Sequence, residues 1–236
     1  MPKPTFRFKQ FIVQQDRCAL KVGTDGVLFG AWVSYAGAKR ILDIGTGTGL
    51  LALIAAQRNV EATIHAVEID DPSAQQAAEN AAASPWADRV RVHRMDVRRM
   101  RSTDRFDLII CNPPYYSGYF TSPDQRVGLA KHSNELLFGE LITAVRELLA
   151  PDGRFNVIIP LSREHEFLNA ATRAGLAPIR RCVVRYVEHR PPKRLLLEMD
   201  RSGRGTEDLE LTIEATGPFD YTPEYRALIS DLMPGF

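Results

Sequence analysis

Net charge is almost absent from this chain: 30 Lys and Arg stand against 29 Asp and Glu, a formal +1. That excludes a protein that holds polyanions through bulk charge. Cysteine is scarce as well. Cys18, Cys111 and Cys182 are odd in number and far apart, which excludes a disulfide framework and offers no zinc spacing. Each is expected to be a buried small hydrophobe, and no metal is expected. No apolar run approaches the ~18 residues that suggest a membrane span. The opening "MPKPTFRFKQ" lacks an apolar stretch of signal-peptide length. No membrane partner is expected, and the protein is expected to be soluble and cytoplasmic. Internal repeats and low-complexity linkers are also missing.

What is present is an ordinary globular composition, 44% hydrophobic and 25% charged over 236 residues. That length fits one α/β unit better than two. From about residue 39 to 160, strand-like and helix-like runs alternate. "RILDIG", "TIHAVEI", "RVRVHRM", "FDLII" and "GRFNVIIP" read as strands. "GLLALIAAQR", the Ala-rich "PSAQQAAENAAAS" with its opening proline, and "SNELLFGELITAVRELLA" with Ser133 as a cap read as helices. Alternation of this kind predicts a parallel sheet with helices on both faces. "RCVVRYVEH" and "PKRLLLEMD", separated by a short Pro-containing segment, predict an antiparallel hairpin at one edge. "ELTIEA" and "PEYRALISDLM" read as a strand and a short helix without a derivable place.

Charge is uneven locally. Seven arginines and two aspartates lie between Arg89 and Arg105, and "HRPPKR" runs from His189 to Arg194. Either cluster is a phosphate-binding surface or a solvated face.

Chemistry concentrates at the ends of the strand-like runs. "LDIGTGTG" follows the first of them and opens a helix, where open α/β sheets bind ligands. Glycines let a backbone approach a ligand closely. A dinucleotide loop of form G-x-G-x-x-G would need a third glycine at position 50, which is Leu50. Here Asp43 precedes Gly45, Gly47 and Gly49. This D-x-G-x-G-x-G form resembles the S-adenosylmethionine loop of class I methyltransferases. Glu68 ends the next strand about 20 positions on, where an acid accepts hydrogen bonds from ribose hydroxyls. Asp96 ends the strand after that. In the resembled fold an acid there reads the adenine amino group of the cofactor; capping of the following turn is the competing role. Lys21, Gly23, Thr24 and Asp25 precede the apolar "VLFGAWV". They are candidates for the methionine end of the cofactor, and Thr24 or Asp25 is also a candidate helix cap.

"NPPY" closes the central strand with Asn112, Pro113, Pro114 and Tyr115. It resembles the motif of methyltransferases that act on an amino group conjugated to a π system. The nitrogen of such an amine is a poor nucleophile, because its lone pair is delocalised. Two acceptors on its two hydrogens draw it toward tetrahedral geometry. The Asn112 side-chain oxygen is one, and the Pro113 carbonyl is the natural second. The Pro-Pro pair fixes φ and stiffens that carbonyl, so the dipoles need no reorganisation. Tyr115 is suited to stack on an unpaired base.

Taken together, "FKQFIVQQDRCALKVGTDGVLFGAW", "ILDIGTGTGLLALIAAQR", "SPWADRV" and "FDLIICNPPYY" are similar to bacterial adenine-N6 methyltransferases of valine tRNA. Within the loop that follows, Arg126 and His132 keep the family's pattern, and Lys131 stands where it has arginine. The resemblance implies a class I methyltransferase Rossmann-like α/β fold, with a mostly parallel seven-stranded sheet and an antiparallel edge hairpin. It implies residues 1–38 packed over the cofactor site and 39–236 as the methyltransferase domain. It also implies S-adenosylmethionine as donor, tRNA (the anticodon stem-loop) as acceptor and adenosine 37 as target. A monomer is the favoured state. A protein glutamine N5-methyltransferase or an rRNA guanine-N2 methyltransferase would share the NPPY chemistry. The stretch before Arg40 is short for the helical substrate domain of the former. A non-catalytic cofactor-binding RNA module would have no use for two aligned acceptors.

Overall fold

The computed structural model describes residues 4–113 and 137–236. Two short antiparallel strands come first, β1 (Thr5–Arg7) and β2 (Ile12–Gln14). Helix α1 (Thr24–Trp32) follows, then the alternating series. This runs β3 (Arg40–Ile44), α2 (Leu50–Arg58), β4 (Thr63–Glu68), α3 (Asp71–Ala82), β5 (Val90–Arg94) and β6 (Phe106–Cys111). After the undescribed residues come α4 (Phe138–Leu148), β7 (Leu149–Pro160), α5 (Glu164–Arg173), β8 (Ala177–Val187), β9 (Arg194–Asp200), β10 (Glu207–Glu214) and α6 (Pro223–Ile229).

Strands β3 to β10 form one sheet in the order β10-β8-β9-β7-β6-β3-β4-β5. All neighbours pair in parallel except β9, which is antiparallel to both β7 and β8. Seven strands therefore point one way and only β9 returns. The fold class is the one expected, with two differences of detail. The sheet has eight strands rather than seven, because "ELTIEA" adds β10 in parallel to β8. The β8–β9 hairpin consequently lies one strand inside the edge instead of on it. β10 is amphipathic, with only Ile213 fully buried, so its pattern alone does not say which strand it joins.

Central strands read as unbroken apolar runs because both faces are covered. In β6, Leu108 and Ile110 face α1 and α2, while Ile109 and Cys111 face α4. Helices α1, α2, α3 and α6 cover one face, and α4 and α5 the other. The helix starts follow capping chemistry. Asp70 accepts from Ser73 N at 3.0 Å ahead of Pro72, and Thr222 accepts from Tyr225 N at 3.3 Å ahead of Pro223. Helix α1 departs from expectation: its N-cap is Gly23, with no side-chain cap. Thr24 is already inside the helix, and Asp25 is engaged elsewhere. Helix α4 begins at Phe138 with Leu137 ahead of it, and Ser133 lies outside the described residues. Cys18, Cys111 and Cys182 are buried and unpaired with one another, as expected.

The N-terminal segment is strapped onto α3 by polar contacts. Asn80 Oδ1 accepts from Gln14 N at 2.9 Å, and its Nδ2 donates to Gln14 O and Thr48 O, each at 2.8 Å. Gln76 Oε1 accepts from Arg17 N at 2.9 Å, and its Nε2 donates to Asp16 Oδ1 at 2.7 Å. Phe8, Phe11 and Val13 join the core beneath. No helix among the described residues is long and apolar enough to cross a membrane.

Candidate active site

The carboxyl ends of β3, β4, β5 and β6 lie on one edge of the sheet, and the candidate residues leave from there. After β3 the chain turns through Gly45, Gly47 and Gly49 at φ 70°, 54° and 84°. Side chains other than glycine rarely adopt these angles. Nothing lies within 4 Å of where a Cβ would stand on Gly45 or Gly47, so the loop presents bare backbone to open space. Val67 O fixes the turn by accepting from Gly45 N at 2.8 Å and Thr46 N at 3.1 Å.

Asp43 sits fully buried beneath this loop. Its Oδ2 accepts from the Thr46 hydroxyl at 2.5 Å. Its Oδ1 has no hydrogen-bond partner among the described residues. Burial pushes the carboxyl up to about 7, against the Thr46 hydroxyl, with Glu68 adding to the rise.

Glu68 closes β4 and is held by three backbone donors. Gly47 N donates to Oε2 at 2.8 Å, and Ile69 N and Asp70 N donate to Oε1 at 2.9 Å each. Burial raises its pKa despite those donors. The carboxylate thus ties the glycine loop to the start of α3, and a carboxylate has about four lone-pair sites, so acceptor capacity is left over.

Asp96 leaves β5 on the same edge, and its capping role is the one observed. Arg98 N donates to Oδ1 at 2.9 Å, and the Arg98 guanidinium takes both oxygens at 2.6–3.0 Å. The hydrogen bonds from the Arg98 side chain lower the Asp96 pKa, against burial, which raises it. Arg98 also bridges to Glu140 at the start of α4, at 3.0 Å.

Asn112 follows β6 and is partly buried; Pro113 is buried. A Cβ on Gly26 of α1 would lie 3.9 Å from Asn112 Nδ2 and 3.0 Å from Leu50 Cδ2. The Asn112 amide is therefore close to the first turn of α1 and to the glycine loop's helix. Pro114 and Tyr115 lie outside the described residues. Cys111 just before is buried, which pushes its thiol well up and leaves it no nucleophilic use.

The three remaining sequence candidates stand apart from bare acceptor geometry. Lys21 Nζ donates to the carbonyls of Gln15 and Cys18, the latter at 2.8 Å, and so ties its own loop. Gly23 O accepts from Val27 N at 3.2 Å as the α1 cap, and Thr24 is exposed. Lys21 and Glu68 both act electrostatically on Cys18, which brings this segment near the Glu68 end of the site.

The basic clusters resolve unevenly. Arg89 closes the end of α2 by donating to the carbonyls of Ala56, Asn59 and Ala62 at 2.8–2.9 Å. Arg94, Arg98 and Arg101 pair with Asp71, Asp96 and Glu147. The first cluster is therefore largely an internal brace.

Residues 27–170 match the family described as Methyltransferase small domain. A tRNA1(Val) (adenine(37)-N6)-methyltransferase from Phocaeicola vulgatus is 45% identical over 231 residues, 98% of each chain. One from Bacteroides thetaiotaomicron is 44% identical over 229 residues, 97% of this chain and 96% of that one. This chain belongs to the tRNA1(Val) (adenine(37)-N6)-methyltransferase family.

Solved structures agree on the fold. A predicted O-methyltransferase from Agrobacterium tumefaciens superposes with a TM-score of 0.69 at 20% identity, over 87% of this chain and 95% of that one. A ribosomal protein L11 methylase from Lactobacillus delbrueckii subsp. bulgaricus gives 0.53 at 20% identity, over 75% and 77%. The protein is a class I methyltransferase, and S-adenosylmethionine is its methyl donor. The residues present fit that donor. The loop at Gly45 and Gly47 is a cradle any Cβ would narrow, and Glu68 beside it supplies an acceptor carboxylate.

Sequence reading missed what Asp25 does. It accepts from the Tyr186 hydroxyl and, at 2.8 Å, from Arg194 Nε, which joins the first turn of α1 to the β8–β9 hairpin. No local signal marks this, because its partners lie more than 160 positions away. Arg98 was likewise visible only as one arginine in a cluster.

Proposed function

We propose that the protein transfers the methyl group of S-adenosylmethionine to N6 of adenosine 37 in valine tRNA. The observation that carries this is the position of Asn112 and Pro113, at the exit of the central strand beside the glycine loop. The relatives' names supply the substrate; the amide and the proline carbonyl are the acceptors its chemistry needs.

When bound, S-adenosylmethionine supplies an electrophilic methyl carbon on a good leaving group. Glu68 would hold its ribose, Asp96 its adenine once Arg98 yields an oxygen, and Gly45 to Gly49 would lie against it. Residues 1–38 would cover it. The Asn112 side-chain oxygen and the Pro113 carbonyl each accept one N6 hydrogen of the target adenine. The nitrogen is thereby drawn out of conjugation and aimed in line, which is orientation rather than acid–base work. No strong base is required, since the amine becomes acidic once alkylated and passes its proton to water. Tyr115 would stack on the target base. Adenosine 37 lies in an unpaired loop, where extrusion costs less than from a duplex. The anticodon stem-loop is the recognised part.

The test is to incubate the protein with labelled S-adenosylmethionine and bulk tRNA, rRNA or protein extract, and to identify the product by mass spectrometry. N6-methyladenosine in tRNA is expected. Label in methylglutamine or N2-methylguanosine would overturn the substrate and leave the fold.

A further inference from the structure

The turn after β10 holds an aromatic ring in solvent at a backbone angle that phenylalanine rarely adopts. Phe219 is 78% exposed, and its φ of 69° is the only positive one outside glycine among the described residues. A bulky residue in that region is a genuine outlier. The turn is fixed around it. Phe219 N donates to Glu214 Oε1 at 2.9 Å, Ala215 N to Asp220 O at 2.9 Å, and the Thr216 hydroxyl to Asp220 Oδ2 at 2.6 Å. Tyr221 meets the Phe219 ring at 87°, centroids 6.4 Å apart. A ring that buries little and strains its backbone contributes nothing evident to the core.

The β8–β9 turn lies directly alongside, since Glu188 N donates to Glu214 O at 3.1 Å. His189, Arg190 and Lys193 are exposed there. Arg190 and Lys193 make no ion pair among the described residues; Glu188 is the one acid of that turn. The turn is itself ordered, by Arg190 N to Val187 O at 2.9 Å and by Arg185 Nη1 to Arg190 O at 2.6 Å. β10 and β8 run parallel to β6, so both turns open on the edge where Asn112 stands. Four strand spacings separate β6 from β10, about 19 Å.

We infer that Phe219, with Arg190 and Lys193, forms a second RNA contact, on which an unpaired base stacks while the two cations take neighbouring phosphates. This rests on the tRNA reading above and adds where the RNA leaves the catalytic residues. A stacking ring beside cations is the arrangement that holds single-stranded nucleic acid without reading its sequence. The distance from Asn112 suits nucleotides flanking the target rather than the target itself.

The test measures binding and methylation separately. Anisotropy titration of a labelled valine-tRNA anticodon stem-loop gives the Kd; a filter assay gives methyl transfer. Phe219→Asn suits the left-handed backbone, so the fold should be kept. It should weaken RNA binding roughly tenfold, as expected for one lost stacked base, with cofactor affinity unchanged. Phe219→Trp should restore binding. Arg190→Gln with Lys193→Gln should flatten the slope of log Kd against log salt by about 1.4, for two phosphates on a single strand. Unchanged Kd in Phe219→Asn, with wild-type methylation intact, overturns this surface and leaves the function. RNA binding that needs Phe219 but yields no methylated tRNA leaves this surface and overturns the function. A shift in sedimentation on Phe219→Asn at unchanged Kd assigns the ring to a protein contact and also overturns it.

Discussion

Asp25 accepts a hydrogen bond from Arg194 across the open edge of the sheet, Oδ2 to Nε at 2.8 Å. Tyr186 donates to the other oxygen. The pair joins the helix beside Asn112 to the hairpin of β8 and β9, and both side chains are mostly shielded, 21% and 23% exposed. Asp25→Ala should leave two donors without their acceptor. A charged hydrogen bond of this kind is worth about 2 kcal/mol. The melting temperature should fall by roughly 4–8 °C for a chain of this size, measured calorimetrically.

Gly26 tests how closely Asn112 is held. Gly26→Ala gains about 1 kcal/mol of helix propensity, but its methyl would stand 3.0 Å from Leu50 Cδ2 and 3.9 Å from Asn112 Nδ2. Stability should change little, because the two effects oppose each other. The turnover number should drop about tenfold, since small misplacements of an orienting group are costly. Single-turnover kinetics at saturating substrates would read this directly.

His65 and His93 stack at 5.1 Å with Nδ1 and Nε2 only 3.0 Å apart. Burial, then the Arg40 and His93 charges, lowers His65 to about 4, and burial lowers His93 as well. Both folded values lie below the unfolded value near 6.5. Their contribution is therefore full above about pH 6.5 and is lost as pH falls toward 4. Urea midpoints should drop over that window in the wild type, and less steeply in His65→Gln with His93→Gln.

Asp43 works in the opposite sense. Its folded value, about 7, lies above the ordinary carboxylate value. Stability from the protonated form is full below about pH 4 and is lost progressively as pH rises from there through about 7. Asp43→Asn keeps an acceptor for the Thr46 hydroxyl without a buried charge. The unliganded variant should melt higher than wild type at pH 8, with the margin shrinking as pH falls through 7 and gone only below about pH 4.

How legible this was depended on the range of each signal. Gly45, Gly47, Gly49, Glu68 and Asn112 were readable because strand ends and glycine spacing are local, and the structure brings them to one edge. The parallel series was readable from unbroken apolar runs such as β6. The eighth strand was readable as a strand but its place in the sheet was not, because β10 is amphipathic and its parallel partner β8 lies 27 positions earlier in register. Asp25 was weighed as a cap or a cofactor contact, since a sequence shows neighbours and not Arg194 across 169 positions. Arg98 on Asp96 was hidden for a different reason: the two stand only two positions apart, but nothing in the sequence singles Arg98 out among seven arginines. Pro114 and Tyr115 belong to a motif that only the sequence describes.

The central claim is that Asn112 grips one amino group, that of adenosine 37. The direct measurement is methyl transfer into valine-tRNA transcripts carrying adenosine or guanosine at position 37, with products mapped by mass spectrometry of nuclease fragments. The account predicts N6-methyladenosine at position 37 only, none in the guanosine transcript, and a loss of at least a hundredfold in Asn112→Ala with cofactor binding retained. Methylation elsewhere in the transcript, or an Asn112→Ala enzyme that turns over like wild type, would contradict it.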